Sequence, residues 1–177
     1  VDECGGEKDL KKRIIRTVGE PEDRFKEDSL RMLRAVRFAT QLGFAIESKT
    51  ERSISKLAGS IKFIANERIR DEIIKILASQ SPAEGIIKLH ELKLLNYIIP
   101  ELEEGDGMTQ NHHHKSTVFD HNVLSLKHCP NQAWQVRFAA LLHDIGKART
   151  KKIINGAATF YNHEIVGAKM VDKILKR

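Results

Sequence analysis

Cysteine is scarce: Cys4 and Cys129 are the only two in 177 residues. Their separation excludes a disulfide framework or a zinc knuckle built on paired thiolates, and a reducing cytoplasm is the expected setting. No apolar run approaches the ~20 residues needed to cross a bilayer, and no signal peptide opens the chain, so no membrane partner is expected. Alternating strand-like runs are nearly absent, and no internal repeat stands out. Neither sign of charge dominates: 30 Lys+Arg against 24 Asp+Glu give +6, which permits a polyanionic partner without demanding one. The first residue is Val1 and the last segment, VGAKMVDKILKR, stops inside a helical pattern, so a piece of a longer protein is expected.

What is present is helical periodicity. Apolar residues recur three and four apart, as in Leu30, Leu33 and Val36, or Ile69, Ile73, Ile76 and Leu77, which predicts an all-α fold. Gly43 reads as a C-terminal cap, Asn66 to Arg70 as a helix start, and Ser81-Pro82 as an N-cap followed by proline at the first helical position. Pro100, Gly105 and Gly107 break the pattern and place a domain boundary near residue 105. Beyond it the sequence predicts helices around Phe119 to His128, around Gln132 to Ile145, and from Glu164 onward. KKIINGAATFY, with Asn155-Gly156 suited to a tight type I′ turn, is the only place where strands are expected. The division is thus a connecting segment over 1–20, a helical domain over 21–104, and a second helical domain over 105–177.

RFKEDSLRMLRAVRFATQLGF, Arg24 to Phe44, carries four arginines on what reads as one helix. At 100° per residue, Met32, Leu33, Val36 and Ala39 share one side, while Glu27, Arg31, Arg34 and Arg37 gather on the other. Leu30 and Phe38 interrupt that charged side. Ordinary solvated ion pairs would account for an average helix of this kind. Three arginines where lysine would solvate equally well point instead to planar recognition of phosphates or base edges. Asp28 and Arg31, three residues apart, offer an acceptor beside paired donors. That pattern complements cytosine and adenine, which donate from an exocyclic amine and accept on a ring nitrogen; uracil and guanine place an N–H where the arginine points. Each unpaired buried group in a mismatch costs ~1–3 kcal/mol, so two mismatches give discrimination of about a hundredfold or more.

With GGEKDL (Gly5 to Leu10) and EDSLR (Glu27 to Arg31), the stretch from Gly5 to Glu47 resembles class II tRNA nucleotidyltransferases and bacterial poly(A) polymerases where the catalytic head enters the helical neck. The family's EDxxR motif falls on Glu27, Asp28 and Arg31, with Ser29 where proline is usual. The resemblance implies that Asp28 and Arg31 pair with the incoming base and that Glu27 orients them. It implies further that Arg34 and Arg37 support the base pocket or triphosphate, and that Asp9 steers the head. The catalytic carboxylates and their Mg2+ ions belong to the family's head, which precedes this segment, so none of the residues here is expected to perform nucleotidyl transfer. The implied partners are the 3′ end of tRNA, CTP and ATP, with residues 50–100, including Lys62, Arg68, Arg70 and Lys75, as the RNA-binding surface.

A second set of residues lies in FDHNVL (His121), LLHDIGKA (His143, Asp144) and YNHE (His163). An adjacent His-Asp closing an apolar helix must satisfy two polar groups beside a buried face. This part resembles the HD superfamily of metal-dependent phosphohydrolases, with the pattern H…HD…D. The resemblance implies that His121, His143 and Asp144 ligate a divalent ion, with His163 lining the site and Lys147 near a phosphate. Mixed nitrogen and oxygen donors suit several divalent metals. The fourth ligand, a distant aspartate, has no match; Asp172 reads as a helix-surface residue. His112, His113 and His114, too few inside a chain for a purification tag, read as loop histidines. The leading expectation is a template-independent nucleotidyltransferase adding C and/or A to tRNA 3′ ends. The alternative is a metal-dependent phosphohydrolase whose first hundred residues only bind RNA or pack.

Overall fold

The computed structural model describes residues 2–111 and 114–177. His112 and His113 lie outside the described residues, and so does the side chain of His114. The chain divides into two units, Val1–Ile98 and Ile99–Arg177.

In the first unit, α1 (Gly6–Lys12) leads into a two-residue strand β1 (Ile14–Ile15), then α2 (Pro21–Glu27) and α3 (Leu30–Leu42). A second short strand, β2 (Ala45–Ile46), pairs in parallel with β1. There follow α4 (Ser48–Leu57), a 3-10 turn (Ala58–Phe63), α5 (Asn66–Leu77), α6 (Pro82–Glu91) and α7 (Leu95–Ile98). Met32, Leu33 and Val36 of α3 are fully buried, as the periodicity requires, and α3 packs on α5 and α6, whose Ile76, Leu77, Ile86 and Leu89 are each no more than 1% exposed. Gly43 ends α3 in the left-handed conformation at φ 64° and donates its N–H to Ala39, the geometry that favours a residue without Cβ. Asp9, the residue expected to steer the head, is ion-paired through both carboxylate oxygens to Arg16. Arg16 in turn lies 3.7 Å from Glu47, so one guanidinium joins α1 to the segment after β2.

Three sequence expectations are corrected here. The single helix expected over Arg24 to Phe44 is two helices, broken where Asp28 takes an extended backbone (φ −152°, ψ 104°) and Ser29 opens α3. The Asp28 carboxylate accepts from the Leu30 N–H at 3.1 Å, and the Ser29 hydroxyl donates to Phe25 C=O at 3.2 Å, so the two polar side chains satisfy backbone groups that a continuous helix would have paired. Leu30 does not interrupt a charged face but is buried at 2% exposure. Ser81 precedes α6 without a side-chain cap bond.

The second unit contains α8 (Pro100–Glu103), an antiparallel pair β3 (Thr109–Asn111) and β4 (His114–Thr117), α9 (Val118–Lys127) and α10 (Trp134–Leu142). After these come α11 (Lys147–Thr150), the hairpin β5 (Lys152–Ile154) and β6 (Ala157–Thr159), and α12 (His163–Leu175). The hairpin turns on Asn155 and Gly156, both at positive φ, as a type I′ turn needs. A capping box starts α9: Thr117 Oγ1 accepts from the Asp120 N–H at 3.0 Å, and the Asp120 carboxylate accepts from the Thr117 N–H at 2.9 Å. Leu141, Leu142, Ile145, Val118 and Leu126 form the core. The all-α expectation holds, with only short strands. The β1–β2 and β3–β4 pairs lie outside the stretch where strands were expected, being too short to leave a two-residue period in the sequence.

Candidate functional site

The break between α2 and α3 projects Asp28 from a helix junction, with its side chain 25% exposed. Its two oxygens are held separately: Oδ1 by the Leu30 N–H and Oδ2 by Arg68 Nη2 at 2.9 Å, from α5 forty residues away in sequence. Burial pushes the Asp28 carboxyl up, but the Leu30 amide and the Arg68 guanidinium outweigh it, and its pKa lies below the ordinary value. Asp28 is therefore an ionised acceptor with two of its roughly four lone-pair sites occupied.

Arg31 does not pair with Asp28 in this structure. Its Nη1 contacts the Glu27 carboxylate at 2.7 Å and Arg24 C=O at 3.3 Å, which ties the first turn of α3 to the last turn of α2. Glu27 also meets Arg24 at 3.0 Å. The side chain of Arg31 is 41% exposed, and its guanidinium keeps further N–H groups for a ligand.

Arg34 and Arg37 are placed against Glu72 of α5. Arg37 Nη1 lies 3.1 Å from Glu72 Oε2, with the two side chains only 13% and 3% exposed. Arg34 Nε is 3.9 Å from the same carboxylate and more exposed. Arg37 also stacks on the exposed Phe38 ring, Cζ 4.1 Å from the centroid. Arg37 is thus a half-buried partner of the buried Glu72 rather than part of an open charged face, because α5 packs across that side of α3. Of the four basic residues expected on an RNA surface, Arg68 serves Asp28, Arg70 pairs with Asp71 and Lys75 with Glu72, while Lys62 approaches the ring of Phe63. Arg68 is the partner of Asp28 that the sequence does not reveal; it stands in the charged run NERIR, but nothing in a linear pattern joins it to Asp28.

In the second unit, His121 on α9, His143 at the end of α10, Asp144 and His163 at the start of α12 converge. His121 Nε2 and His143 Nε2 each lie 3.2 Å from Asp144 Oδ2, and His163 Nε2 lies 3.3 Å from Oδ1. Lys147 Nζ is 2.6 Å from Oδ2, one turn beyond Asp144, so it neutralises the aspartate rather than standing free for a phosphate. His143 Nδ1 contacts Ala140 C=O at 3.0 Å and His163 Nδ1 contacts Phe160 C=O at 2.8 Å. A carbonyl only accepts, so each Nδ1 carries a proton and each Nε2 is the ring atom turned toward Asp144. The hydrogen bond to Asp144 raises the His143 pKa against the effect of burial. Burial opposes ionisation of Asp144, but His143 and Lys147 overcome it and hold its pKa well below the carboxylate range.

His121, His143 and Asp144 each present a ligand atom within 4.8 Å of the others, a donor set of two imidazoles and one carboxylate that fits a divalent ion. Gly146 sets the approach of α12. A Cβ there would lie 2.0 Å from His163 O and 2.6 Å from Gly167 N, both backbone atoms, so only glycine lets His163 reach Asp144.

Two family profiles match the chain: "Probable RNA and SrmB- binding site of polymerase A" over residues 43–105, and "HD domain" over residues 118–177. An A-adding tRNA nucleotidyltransferase of Deinococcus radiodurans is 41% identical, across 100% of this chain and 43% of that protein. A multifunctional CCA protein of Haemophilus influenzae is 34% identical, across 100% of this chain and 45% of that protein. Among solved structures, the Bacillus stearothermophilus CCA-adding enzyme in complex with CTP aligns with a TM-score of 0.62 at 28% identity, over 99% of this chain and 40% of that one. A helical region with an RNA-binding profile leading into an HD domain is the class that these matches define. Within that class, the chain is similar over its whole length to tRNA nucleotidyltransferases, and its first profile is that of a polymerase A. It spans less than half the length of the curated relatives it matches.

Proposed function

We propose that residues 21–104 select the nucleotide and bind RNA for a template-independent nucleotidyltransferase that adds C and/or A to the 3′ end of tRNA, using CTP and ATP. The observation that carries this reading is the Asp28 carboxylate, kept ionised and aimed by the Leu30 N–H and Arg68 at a helix junction, with Arg31 three residues on. A base amine donates to the open lone pairs of Asp28, while Arg31, steadied by Glu27, donates to the ring nitrogen. Arg37, held by Glu72, fixes the helix that presents the pair, and the more exposed Arg34, only loosely against Glu72, faces the nucleotide. The Mg2+-dependent attack of the RNA 3′ hydroxyl on the α-phosphate belongs, in this reading, to the family's head, and no residue of this chain is assigned to it. The end-to-end likeness to tRNA nucleotidyltransferases supports this over a phosphohydrolase with a passive first unit.

Residues 105–177 form the HD part, in which His121, His143 and Asp144 would hold a divalent ion and His163 would complete the donor set. Metal analysis of the purified full-length protein tests this directly: wild type retains a divalent ion and His143→Ala does not. Among the described residues no helix is long and apolar enough to cross a membrane. The two free thiols support action in the reducing cytoplasm. The full-length protein, given tRNA lacking its 3′ CCA, is expected to incorporate CTP or ATP; a protein that extends no such tRNA overturns the proposal.

A further inference from the structure

Phe63 closes the 3-10 turn after α4 and is 80% exposed, more than any other large apolar side chain described. It stands at the edge of a cleft of about 610 Å³, a size typical of small-ligand sites at roughly 300–1,000 Å³. The walls include Ser60, Phe63 and Ile64 together with Lys26, Asp28 and Arg68. The Lys62 ammonium lies 5.2 Å from the Phe63 ring centroid. An aromatic face flanked by Lys62, Lys26 and Arg68 suits a stacked nucleobase whose phosphates meet the cations. A protein-docking patch would instead continue the apolar surface around the ring, and charged and hydroxyl groups interrupt it here.

The position of the cleft decides which base it takes. Glu27, Asp28 and Arg68 are among its walls, whereas Arg31, bound to Glu27, is not. A base that pairs with both Asp28 and Arg31 therefore borders the cleft rather than filling it. The RNA 3′ hydroxyl must stand beside the incoming nucleotide for a bond to form, so the neighbouring place falls to the RNA's own end. We propose that Phe63 is a stacking platform for an unpaired nucleotide at the RNA 3′ end, with Lys62 as its phosphate contact. This rests on the nucleotidyltransferase reading above.

The test uses the full-length protein without nucleotide and a fluorescein-labelled acceptor minihelix with unpaired 3′ nucleotides, followed by anisotropy. Phe63→Ala is expected to weaken binding about tenfold, the typical loss of one stacked base, whereas Phe63→Trp and Phe63→Tyr stay within about twofold. A blunt-ended minihelix binds all three variants and wild type alike, and KM values for CTP and ATP do not move. An unchanged affinity for Phe63→Ala overturns the proposal, as does an equal loss on the blunt minihelix. A loss confined to the KM for CTP or ATP overturns it by placing the incoming base on the ring. A lowered melting temperature with RNA binding intact overturns it by showing that another part of the protein covers the ring. Binding is read without catalysis, so failure to extend tRNA would sink the nucleotidyltransferase reading while the claim for Phe63 is judged on anisotropy alone.

Discussion

Asp28 keeps its charge through two contacts from different places, one backbone amide two residues on and one guanidinium forty residues on. Because its pKa is lowered on folding, the associated stability is complete above the ordinary aspartate value near ~4 and is lost as pH falls through the lower folded value. Denaturant unfolding is therefore expected to show wild type ahead of Asp28→Asn by up to about 1 kcal/mol at pH 6, given the partial exposure of the pair, with the gap closing toward pH 2.5. A gap independent of pH contradicts the ion pair. Arg68→Ala is expected to raise KM for CTP and ATP several-fold with little change in melting temperature, because it loosens the reader without touching the core. Glu72 is the opposite case: at 3% exposure beside Arg37, its replacement by Ala leaves a nearly buried cation unpaired, an expected loss of ~3–5 kcal/mol in thermal or denaturant unfolding.

At the scale of elements, two glycines set how closely helices approach. A Cβ at Gly85 of α6 would lie 2.5 Å from Ile76 Cγ2 and 3.0 Å from Thr40 Oγ1. Both neighbours are β-branched and stiff, so the overpacking of ~1–3 kcal/mol outweighs the gain of ~1 kcal/mol from replacing a helical glycine. Gly85→Ala is expected to lower the melting temperature, whereas the more open Gly59, with its nearest neighbour the Tyr97 hydroxyl at 3.3 Å, tolerates alanine. Gly146→Ala meets backbone and must displace α12, so both stability and divalent-metal content are expected to fall together. The apolar period of α3 and the Asn-Gly turn were readable directly, because each is a local rule. The break at Asp28-Ser29 was not, because a helical wheel drawn across it continues smoothly and only side-chain bonding to the backbone ends α2 there. The parallel pairing of Ile14-Ile15 with Ala45-Ile46 escaped for a related reason: two residues carry no period.

Across the whole chain, the residues of the two clusters were named from the sequence and their partners were not. EDSLR pointed to Asp28 and Arg31, which the fold does not pair, and HD with its neighbours pointed to His121, His143, Asp144 and His163, which the fold brings together. Arg68, the contact of Arg37 with Glu72 and the pairing of Lys147 with Asp144 depend on which surfaces the fold brings together. The central claim is that Asp28 and Arg31 choose the base, and the most direct measurement compares single-nucleotide incorporation by full-length wild type and Arg31→Ala. Wild type is expected to prefer CTP or ATP over UTP and GTP by about a hundredfold or more, and Arg31→Ala to collapse that preference to within about tenfold while still binding triphosphate. An Arg31→Ala protein that keeps the wild-type preference would contradict the account.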